Sequence, residues 1–334
     1  MTDYTPSSSR IIPASQANAI ALAVEKLAHG QLVAFPTETV YGLGADAANP
    51  QAVQQIFAAK GRPAKHPLIV HIKHQTALTD WAEHIPDSAY RLAEQFWPGP
   101  LTLVLKKHAR VPLEVTGGQA TVALRMPNHP IALALLQHFD GGIAAPSANR
   151  YCRISPTQAL HVEEELGDKL ALILDGGTCH VGLESTILDL SSAQPTLLRP
   201  GHISTEALAQ FLHTDILQPT HSSPQAPGMM AVHYAPRTPT YLCSQANLPA
   251  TIEKYLALGQ QLGLLAYHSV PVRASVQLIT MPTTAEHYAR TLYASLRRAD
   301  ALQLTMILVE QPPRTANWQA INDRLNKAAT QLES

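Results

Sequence analysis

Two permanent cations flank a glycine in the segment Lys60-Gly61-Arg62-Pro63. Val53, Ile56 and Phe57 recur before it at helical spacing, so the cations stand at the carboxyl end of a predicted helix. Cations at that end complement the helix dipole. They could equally clamp a polyphosphate, because a phosphate oxygen about 4 Å from one cation gains about 4 kcal/mol at an effective dielectric near 20. The spacing favours neither explanation, and the sequence holds no Walker loop or Rossmann fingerprint.

Small polar residues follow a short apolar segment, 142–145, in Pro146-Ser147-Ala148-Asn149. Such residues at the carboxyl end of a strand are common in ligand crevices, but they also close turns. Ser155 is predicted to cap a helix, with Pro156 at the first helical position and Gln158 completing a capping box. A helix N-terminus can also receive an anion, so Ser155 could serve both purposes.

Two arginines are candidate ligands for a carboxylate or a phosphate. Arg125 lies on a strand predicted over 121–126, on the face that it shares with Thr121 and Ala123. A charge beside small residues on one strand face suits a lined cleft. Arg199 stands before a Pro-Gly pair. The competing explanation is a surface ion pair, which is the commoner role of an isolated arginine.

Other reactive residues lack the spacing of catalytic or metal-binding motifs. His71, on a strand predicted over 67–73, could orient a substrate or simply pack. The segment Glu184-Ser185-Thr186 has no Gly-x-Ser-x-Gly elbow, which disfavours a serine hydrolase. No HExxH or CxxC pattern is present, so the sequence predicts no dedicated protein metal site.

The length, charge and cysteine content of the chain limit its number of domains, its binding partners and its cellular compartment. The chain has 334 residues, of which 46% are apolar and 15% charged, with a formal net charge of −1. This length predicts two domains, and the near-zero charge predicts at most local or indirect contact with nucleic acid. Three widely separated cysteines fit a reducing cytosol. The segment 1–10 is polar, so secretion is not predicted, and the longest apolar runs, such as Ile131–Leu136, are too short to span a membrane.

Alternating strand and helix patterns position these residues in an α/β protein. Strands are predicted over 32–35, 67–73, 101–107, 121–126, 142–145, 170–174, 185–190, 196–199, 240–243, 262–267, 275–279 and 304–309. Helices are predicted over 16–29, 130–139, 247–258, 284–300 and 316–330, with others ending near Lys60 and starting near Ser155. The two glycines of Tyr41-Gly42-Leu43-Gly44 predict a turn or a close backbone approach.

A change in composition divides the chain. Five prolines with serines and a glycine between Gln218 and Pro239 predict a linker, although Met229, Met230, His233 and Tyr234 are large enough to dock. We therefore predict a first domain over 10–215, a linker over 216–239 and a C-terminal domain over 240–334. The alternation in the last domain predicts a small α/β unit with a mainly parallel sheet.

Eight segments in order closely resemble the YrdC/TsaC family of threonylcarbamoyl-AMP synthases over roughly residues 10–215. The segments are Pro36–Gly44, Lys60–Pro63, Pro67–His71, Trp97–Thr102, Ala123–Pro127, Pro146–Asn149, Glu184–Ile187 and Leu198–Gly201. The linker segment Ala226–Pro236 resembles that of the long, two-domain form, whose C-terminal domain would be a small Rossmann-like α/β unit.

The resemblance implies an open α/β domain with a twisted mixed sheet around a cationic cavity. It implies a reaction in which L-threonine, bicarbonate and ATP give threonylcarbamoyl-AMP and pyrophosphate. Mg²⁺ would arrive with ATP, and a downstream transferase would pass the threonylcarbamoyl group to tRNA beside the anticodon. The enzyme would be cytoplasmic, with weak or indirect tRNA contact and no membrane partner.

The resemblance also implies residue roles. Residues implied to hold ATP are Lys60, Arg62, His66, Thr121, Ser147, Asn149, Ser155, Arg199, His233 and Tyr234, with Lys60 and Arg62 catalytic. Residues implied to hold threonine are Thr39, His71, Arg125 and Ser185. The family usually continues with Ser-Gly after the asparagine, whereas this chain has the bulkier segment Arg150–Ile154, which puts the nucleotide contacts of that loop in question.

Three other functions compete with this interpretation. A non-catalytic nucleotide- or RNA-binding module of the same fold is disfavoured by the near-zero charge and by the intact Lys60/Arg62 and Ser147/Asn149 pairs. A carbamoyl-transfer domain of hydrogenase-maturation proteins would need zinc-finger segments that this sequence lacks. An interaction scaffold built on the C-terminal domain is neither favoured nor excluded.

Overall fold

Two β-sheets organise the chain in this computed structural model, which describes residues 10–270 and 273–332. Among these residues the larger sheet has ten strands in the order β1-β8-β2-β3-β7-β4-β6-β5-β9-β10, and the smaller has five in the order β13-β12-β14-β11-β15. The larger sheet mixes parallel and antiparallel pairs, whereas the pairs of the smaller sheet are parallel. The predicted α/β class, with one mixed and one parallel sheet, is confirmed.

The elements of the first region follow in chain order. The strands are β1 (Ile11–Pro13), β2 (Val33–Phe35), β3 (Gly42–Asp46), β4 (Ile69–His71), β5 (Leu101–Lys106), β6 (Thr121–Arg125), β7 (Ile143–Ala144), β8 (Leu172–Asp175), β9 (Thr186–Asp189) and β10 (Thr196–Arg199). The helices are α1 (Ala19–Ala28), α2 (Pro50–Lys60), α3 (Leu78–Trp81), α4 (Asp87–Phe96), α5 (Leu113–Thr116), α6 (Pro130–Phe139), α7 (Ala159–Leu166) and α8 (Thr205–Leu212).

The elements of the second region alternate. They are β11 (Thr240–Cys243), α9 (Leu248–Ala257), β12 (Leu262–Ala266), β13 (Gln277–Thr280), α10 (Ala285–Ala301), β14 (Met306–Glu310), α11 (Gln319–Ala328) and β15 (Thr330–Gln331). Short 3-10 turns precede α3 and α11 and follow α7. No described helix has the length and apolar character needed to cross a membrane.

The larger sheet is packed on both faces. Alternate residues of β2 enter different cores, because side chains along a strand point to opposite faces. Ala34 packs with Ile56 of α2, whereas Val33 packs with Leu27 of α1 and Leu135 of α6. The sheet is therefore buried through its centre, and ligands have access at its edges and loops.

Helix α2 ends where the cation pair begins. Asn49 caps its start by accepting hydrogen bonds from the backbone N–H groups of Gln51 and Ala52, and Pro50 occupies the first turn. Gly61 ends it in the left-handed conformation, with φ at 64°. This turn redirects the chain between Lys60 and Arg62, and the helix ends where it was predicted to end.

The predicted cap at Ser155 is wrong. Helix α7 starts at Ala159 after Gln158, whose side chain makes no capping bond. Ser155 lies four residues before the first helical residue, and its hydroxyl instead donates to Glu184 Oε1 at 2.5 Å, a partner distant in sequence. The predicted helix 16–29 begins later, at Ala19.

Several elements were not predicted. They are β1, β3, α3, α4, α5, α8 and β15, and the helix predicted over 316–330 ends at Ala328. Strand β3 contains the two glycines that predicted a turn or a close approach. The close approach is correct, since a Cβ on Gly44 would lie 2.9 Å from the Phe35 ring and 3.0 Å from the Val33 carbonyl oxygen.

Candidate active site

A narrow cavity of about 50 Å³ lies between the first sheet, the loop after β7 and the linker. It collects residues that are far apart in sequence. The predicted site residues that line it are Thr39, Lys60, Arg62, His71, Arg125, Ser147, Asn149, Ser185, Arg199, His233 and Tyr234. The structure thus brings together most of the residues that the family resemblance singled out.

Lys60 is buried at one end of this cavity. Its Nζ donates to the backbone oxygens of Ser147 and Asn149, each at 2.5 Å. Burial, together with the neighbouring Arg62 charge, lowers the pKa of Lys60 to about 7. The two carbonyls orient the ammonium group without neutralising it, so the group stays available to an anion.

Arg62 is only partly buried as a residue, but its guanidinium is enclosed. Nη2 donates to the Pro67 oxygen at 2.9 Å, whereas the buried Nε has no hydrogen-bond partner among residues 10–270 and 273–332. Burial lowers the pKa of Arg62 to about 10. A buried donor without a partner is energetically unfavourable, which indicates that a ligand completes this site.

The loop after β7 is held by its own backbone. The Asn149 amide nitrogen donates to the oxygens of Arg150 and Arg153 at 2.9 and 2.8 Å, and its Oδ1 is without a partner in the described part of the chain. The segment that departs from the family pattern therefore anchors Asn149. From that segment, Tyr151 and Cys152 also line the cavity.

Arg125 forms the opposite wall. It makes a buried ion pair with Glu38, at 2.6 Å between Nη2 and Oε1, and its Nη1 donates to Thr39 Oγ1 at 2.9 Å. Burial and the adjacent Arg125 charge hold the pKa of His71 well below its usual range, so the imidazole is neutral. The residues predicted to hold threonine converge here, with Ser185 nearby on the lining.

Arg199 joins β10 to the linker. Its Nε donates to the Ser185 backbone oxygen at 3.0 Å, its Nη2 to Ser185 Oγ at 3.1 Å, and its Nη1 to the Pro227 oxygen at 3.0 Å. Burial lowers the pKa of this guanidinium. Thr102 also shares a hydrogen bond with Ser185 Oγ, at 2.7 Å.

The linker closes the cavity. Tyr234 is 1% exposed, and the His233 ring lies 4.0 Å from the Tyr234 ring between centroids. Burial lowers the pKa of His233 to about 3 and raises the pKa of Tyr234 to about 12, so both are neutral near pH 7. The docking predicted for the large linker residues is therefore seen at these two positions.

Three predicted site residues lie apart from the cavity lining. Ser155 stands behind Glu184, which does line the cavity. His66 borders a neighbouring space of about 350 Å³ under the linker, with its ring 5.7 Å from that of Tyr151. Thr121 begins β6, four residues and about 13 Å of strand before Arg125. Its contact with a nucleotide gains no support from this position.

Two acidic residues were missed as site components. Glu38 pairs with Arg125, and Glu184 accepts hydrogen bonds from Ser155, Tyr293 and Arg324. Both stood in the motifs quoted above, and a carboxylate beside a predicted cationic cavity was the available signal. Arg324 lowers the pKa of Glu184 to about 2 against the opposing effect of burial.

The charge of the cavity is positive overall. Lys60, Arg62, Arg125 and Arg199 face two carboxylates, those of Glu38 and Glu184. Among the described residues, no group of three His, Cys, Asp or Glu side chains could hold a metal ion. The arrangement can bind and orient several anionic groups and stabilise negative charge that develops between them.

Comparisons with known proteins agree with this geometry. A family model described as telomere recombination matches residues 25–201, and a second, described as the C-terminal domain of threonylcarbamoyl-AMP synthase, matches residues 203–330. The chain is 40% identical to the threonylcarbamoyl-AMP synthase of Pyrococcus abyssi, over 93% of this chain and 94% of that one. It is 42% identical to that of Bacillus subtilis, over 93% and 92%.

A solved structure is similar over nearly the whole length. The crystal structure of Pyrococcus abyssi Sua5 complexed with L-threonine matches with a TM-score of 0.88 and 39% identity. The match covers 94% of this chain and 96% of that one. The similarity therefore extends through both sheets and the linker between them.

Proposed function

Because this chain belongs to the two-domain threonylcarbamoyl-AMP synthase family, we propose that L-threonine, bicarbonate and ATP react in its cation-lined cavity. The chain is a nucleotidyltransferase that makes threonylcarbamoyl-AMP for the threonylcarbamoyladenosine modification of tRNA. The proposal concerns which of its residues hold each reactant and how they promote the reaction.

The observation that carries the proposal is the set of buried cations facing one cavity. Lys60, Arg62 and Arg199 have protein carbonyl oxygens as hydrogen-bond acceptors, and no described carboxylate forms an ion pair with them. Burying a charge without a counter-ion is unfavourable. An anionic substrate would remove that penalty, and a triphosphate supplies several charges at the required spacing.

ATP would lie across Lys60, Arg62 and Arg199. The first two would hold the β- and γ-phosphates, which leave as pyrophosphate. Asn149 Oδ1 and Ser147 would contribute polar contacts, and His233 and Tyr234 would cover the nucleotide from the linker. Ser155, His66 and Thr121 lie away from the lining and have only the family resemblance in their favour.

Threonine would lie on the Arg125 side of the cavity. Its carboxylate would pair with Arg125, which Glu38 and the Gly99 oxygen hold in place. Thr39 and Ser185 would form hydrogen bonds with the polar groups of the bound threonine. His71 would take part as a neutral imidazole, because burial and Arg125 keep its pKa low.

The reaction then needs little acid–base chemistry from the protein. The threonine nitrogen forms a C–N bond to the carbon of bicarbonate with loss of water, giving a carbamate. A carbamate oxygen bonds to the α-phosphorus of ATP, and the bond from that phosphorus to the β-phosphate oxygen breaks. Fixed cations accelerate such phosphoryl chemistry by positioning the reactants and by stabilising the charge on the leaving group.

Mg²⁺ would enter bound to ATP, since it prefers phosphate and water oxygens. Bound there, it would neutralise phosphate charge. The lining offers cations and neutral polar groups around the phosphates, with Glu184 already occupied by Arg324. The donor set thus fits a metal held by the substrate rather than by a protein cage.

The linker would open and close over the substrates. Ligand sites commonly measure about 300–1,000 Å³, whereas this cavity measures about 50 Å³ with the linker docked. We therefore propose residues 216–239 as a lid between a catalytic domain (10–215) and a C-terminal domain (240–334) that restrains it. The product would pass to a downstream tRNA threonylcarbamoyl transferase in the cytoplasm, with weak or indirect contact to tRNA.

Pyrophosphate release from ATP tests the proposal directly. Purified full-length protein is assayed with and without L-threonine and bicarbonate. We expect release that needs both co-substrates, and at least a thousandfold lower kcat/KM in Lys60→Ala/Arg62→Ala, because two phosphate contacts are lost. Lys65→Ala is the matched control, since it removes an exposed cation from the same loop.

The two variants separate a specific clamp from general charge. Equal losses in Lys60→Ala/Arg62→Ala and in Lys65→Ala would contradict the clamp. Pyrophosphate release at the same rate without threonine and bicarbonate would contradict the assignment of the cavity to all three reactants.

A further inference from the structure

One arginine of the C-terminal region reaches the wall of the cavity. Arg324, on α11, is fully buried, and its Nε donates to Glu184 Oε2 at 2.7 Å. Its Nη2 donates to the Pro200 backbone oxygen at 3.0 Å. Its guanidinium carbon lies 5.2 Å from the centroid of the Tyr234 ring. This single side chain therefore contacts the first region, the linker and the cavity wall.

A tyrosine from a second helix of that region meets the same carboxylate. The hydroxyl of Tyr293, on α10, donates to Glu184 Oε2 at 2.9 Å. Its ring stacks on Tyr234, with centroids 5.8 Å apart and planes at 25°. Both rings belong to one apolar cluster that also contains Ile154 and Leu183 from the first region. The hydrogen bonds are thus set in a packed, water-excluding contact.

Glu184 connects Arg324 and Tyr293 to the side of the cavity where we propose that ATP binds. Its Oε1 accepts the Ser155 hydroxyl, and the next residue, Ser185, accepts from Arg199 with both its backbone oxygen and its Oγ. Glu184 itself lines the cavity. A carboxylate at this place has two possible cationic partners, Arg324 and Arg199.

Whether Glu184 pairs with Arg324 or with Arg199 affects how tightly an anionic substrate can bind. A carboxylate that is free to turn would pair with Arg199 and compete with phosphate for it. It would also repel the phosphates, since an isolated charge in a partly buried site acts over several ångströms. Arg324 and Tyr293 prevent both effects by fixing the carboxylate in place and neutralising it.

We propose that Arg324 and Tyr293 are positioning residues of the nucleotide site, which hold Glu184 to Ser155 and away from Arg199. The C-terminal region thereby determines the affinity of the cavity for ATP as well as the position of the linker. This inference rests on the proposed function, because it assigns ATP to the Arg199 side of the cavity.

Three full-length variants test it. Tyr293→Phe keeps the ring stacking and removes only the hydroxyl donor. Arg324→Lys keeps a cation but loses the planar guanidinium that bonds Glu184 and Pro200 together. Gln319→Ala is the matched control, because Gln319 lies on the same helix and its amide oxygen accepts from Thr205 Oγ1 across the same interface at 3.2 Å.

The dissociation constant for ATP and the steady-state constants are measured on each protein. We expect Tyr293→Phe and Arg324→Lys to weaken ATP binding about tenfold, because a Glu184 carboxylate that is free to turn competes with phosphate for Arg199. The KM for ATP should rise by more than the KM for threonine, with kcat within about twofold of wild type. Gln319→Ala should match wild type in every constant.

The readouts distinguish positioning from a structural role. A lower melting temperature with unchanged ATP affinity in both test variants would overturn the inference, because the contacts would then only hold the two regions together. Equal weakening in Gln319→Ala would overturn it too. Calorimetric binding of ATP does not require turnover, so a wild-type protein that binds ATP but releases no pyrophosphate refutes the proposed function alone.

Discussion

Lys60 and Arg62, which line the cavity, and Arg324, which lies behind its wall at Glu184, are buried cations with opposite electrostatic surroundings. Lys60 and Arg62 are held by backbone carbonyls, and burial lowers the pKa of each. Arg324 is paired with Glu184, and although burial opposes it, Tyr234 and this carboxylate raise the pKa of Arg324 well above its usual range. The anion that we propose as ligand of Lys60 and Arg62 would stabilise these two residues, whereas Arg324 is already neutralised within the protein.

The comparison separates the residues that we propose to bind substrate from a residue that joins the two regions of the chain. A buried cation without a counter-ion destabilises the folded protein until a ligand arrives. A buried ion pair gives no such binding capacity, but it becomes strongly destabilising when one partner is removed. Substitutions in the two groups should therefore change stability in different ways.

The largest effect is expected at the joining group. Arg324→Met should lower the free energy of unfolding by about 3–5 kcal/mol, because Glu184 is left buried without its partner. Chemical denaturation at pH 7 measures this loss. Adding Glu184→Gln to the same chain should recover part of it, and a double variant no more stable than Arg324→Met would contradict the pairing.

The free energy of unfolding should change with pH because of the lowered pKa of Lys60. Its pKa falls from 10.5 to about 7 on folding, so between these values the unfolded chain binds the proton that the native chain has released. The contribution of Lys60 to the free energy of unfolding therefore increases as the pH rises above about 7, and this contribution is lowest below pH 7. Relative to Lys60→Met, wild type should gain about 2 kcal/mol between pH 7 and pH 9.

Denaturant titrations of both proteins at several pH values provide the measurement. Subtracting the Lys60→Met curve removes the contributions of the other titrating groups. Parallel curves for the two proteins would show that Lys60 keeps its ordinary pKa in the folded state.

ATP binding should take up a proton at the same residue. A triphosphate beside Lys60 favours its charged form, so ATP affinity should fall about tenfold from pH 7.5 to pH 8.5. Calorimetry in buffers of different ionisation enthalpy measures the uptake. Lys60→Arg, whose charge is fixed, is the control, and uptake that persists in it would place the titrating group elsewhere.

The smallest effect is expected at Gly61. A Cβ there meets open space in the described structure, but the residue adopts φ of 64°, which L-residues disfavour. Gly61→Ala should therefore lower stability by about 1 kcal/mol and turn Arg62 slightly away. Thermal unfolding and the KM for ATP check both consequences. An unchanged melting temperature would mean that the helix end can relax without strain.

The sequence predicted the strands that carry the site better than the bonds within it. Alternation over 67–73 and 121–126 predicted the two strands that carry His71 and Arg125, and both residues line the cavity. Ser155 shows the limit, because a serine hydroxyl can bond a nearby backbone N–H or a distant carboxylate. The sequence pattern favoured the helix cap, and the fold selected Glu184.

Strand β3 was missed because its residues are unusual for a strand. Strand β3 is rich in glycine and alanine, so it lacks the branched side chains typical of strands. Its pairing with β2 and β7 stabilises it instead.

The sequence by itself determined the family, the class of fold and the residue types at the site. Motif order and strand alternation are local properties, and they survive without knowledge of the fold. Only the tertiary structure decided which cations remain unpaired, because that depends on contacts such as Arg324 to Glu184, 140 residues apart in the sequence. Burial and pairing set charge, and both arise when distant segments pack together.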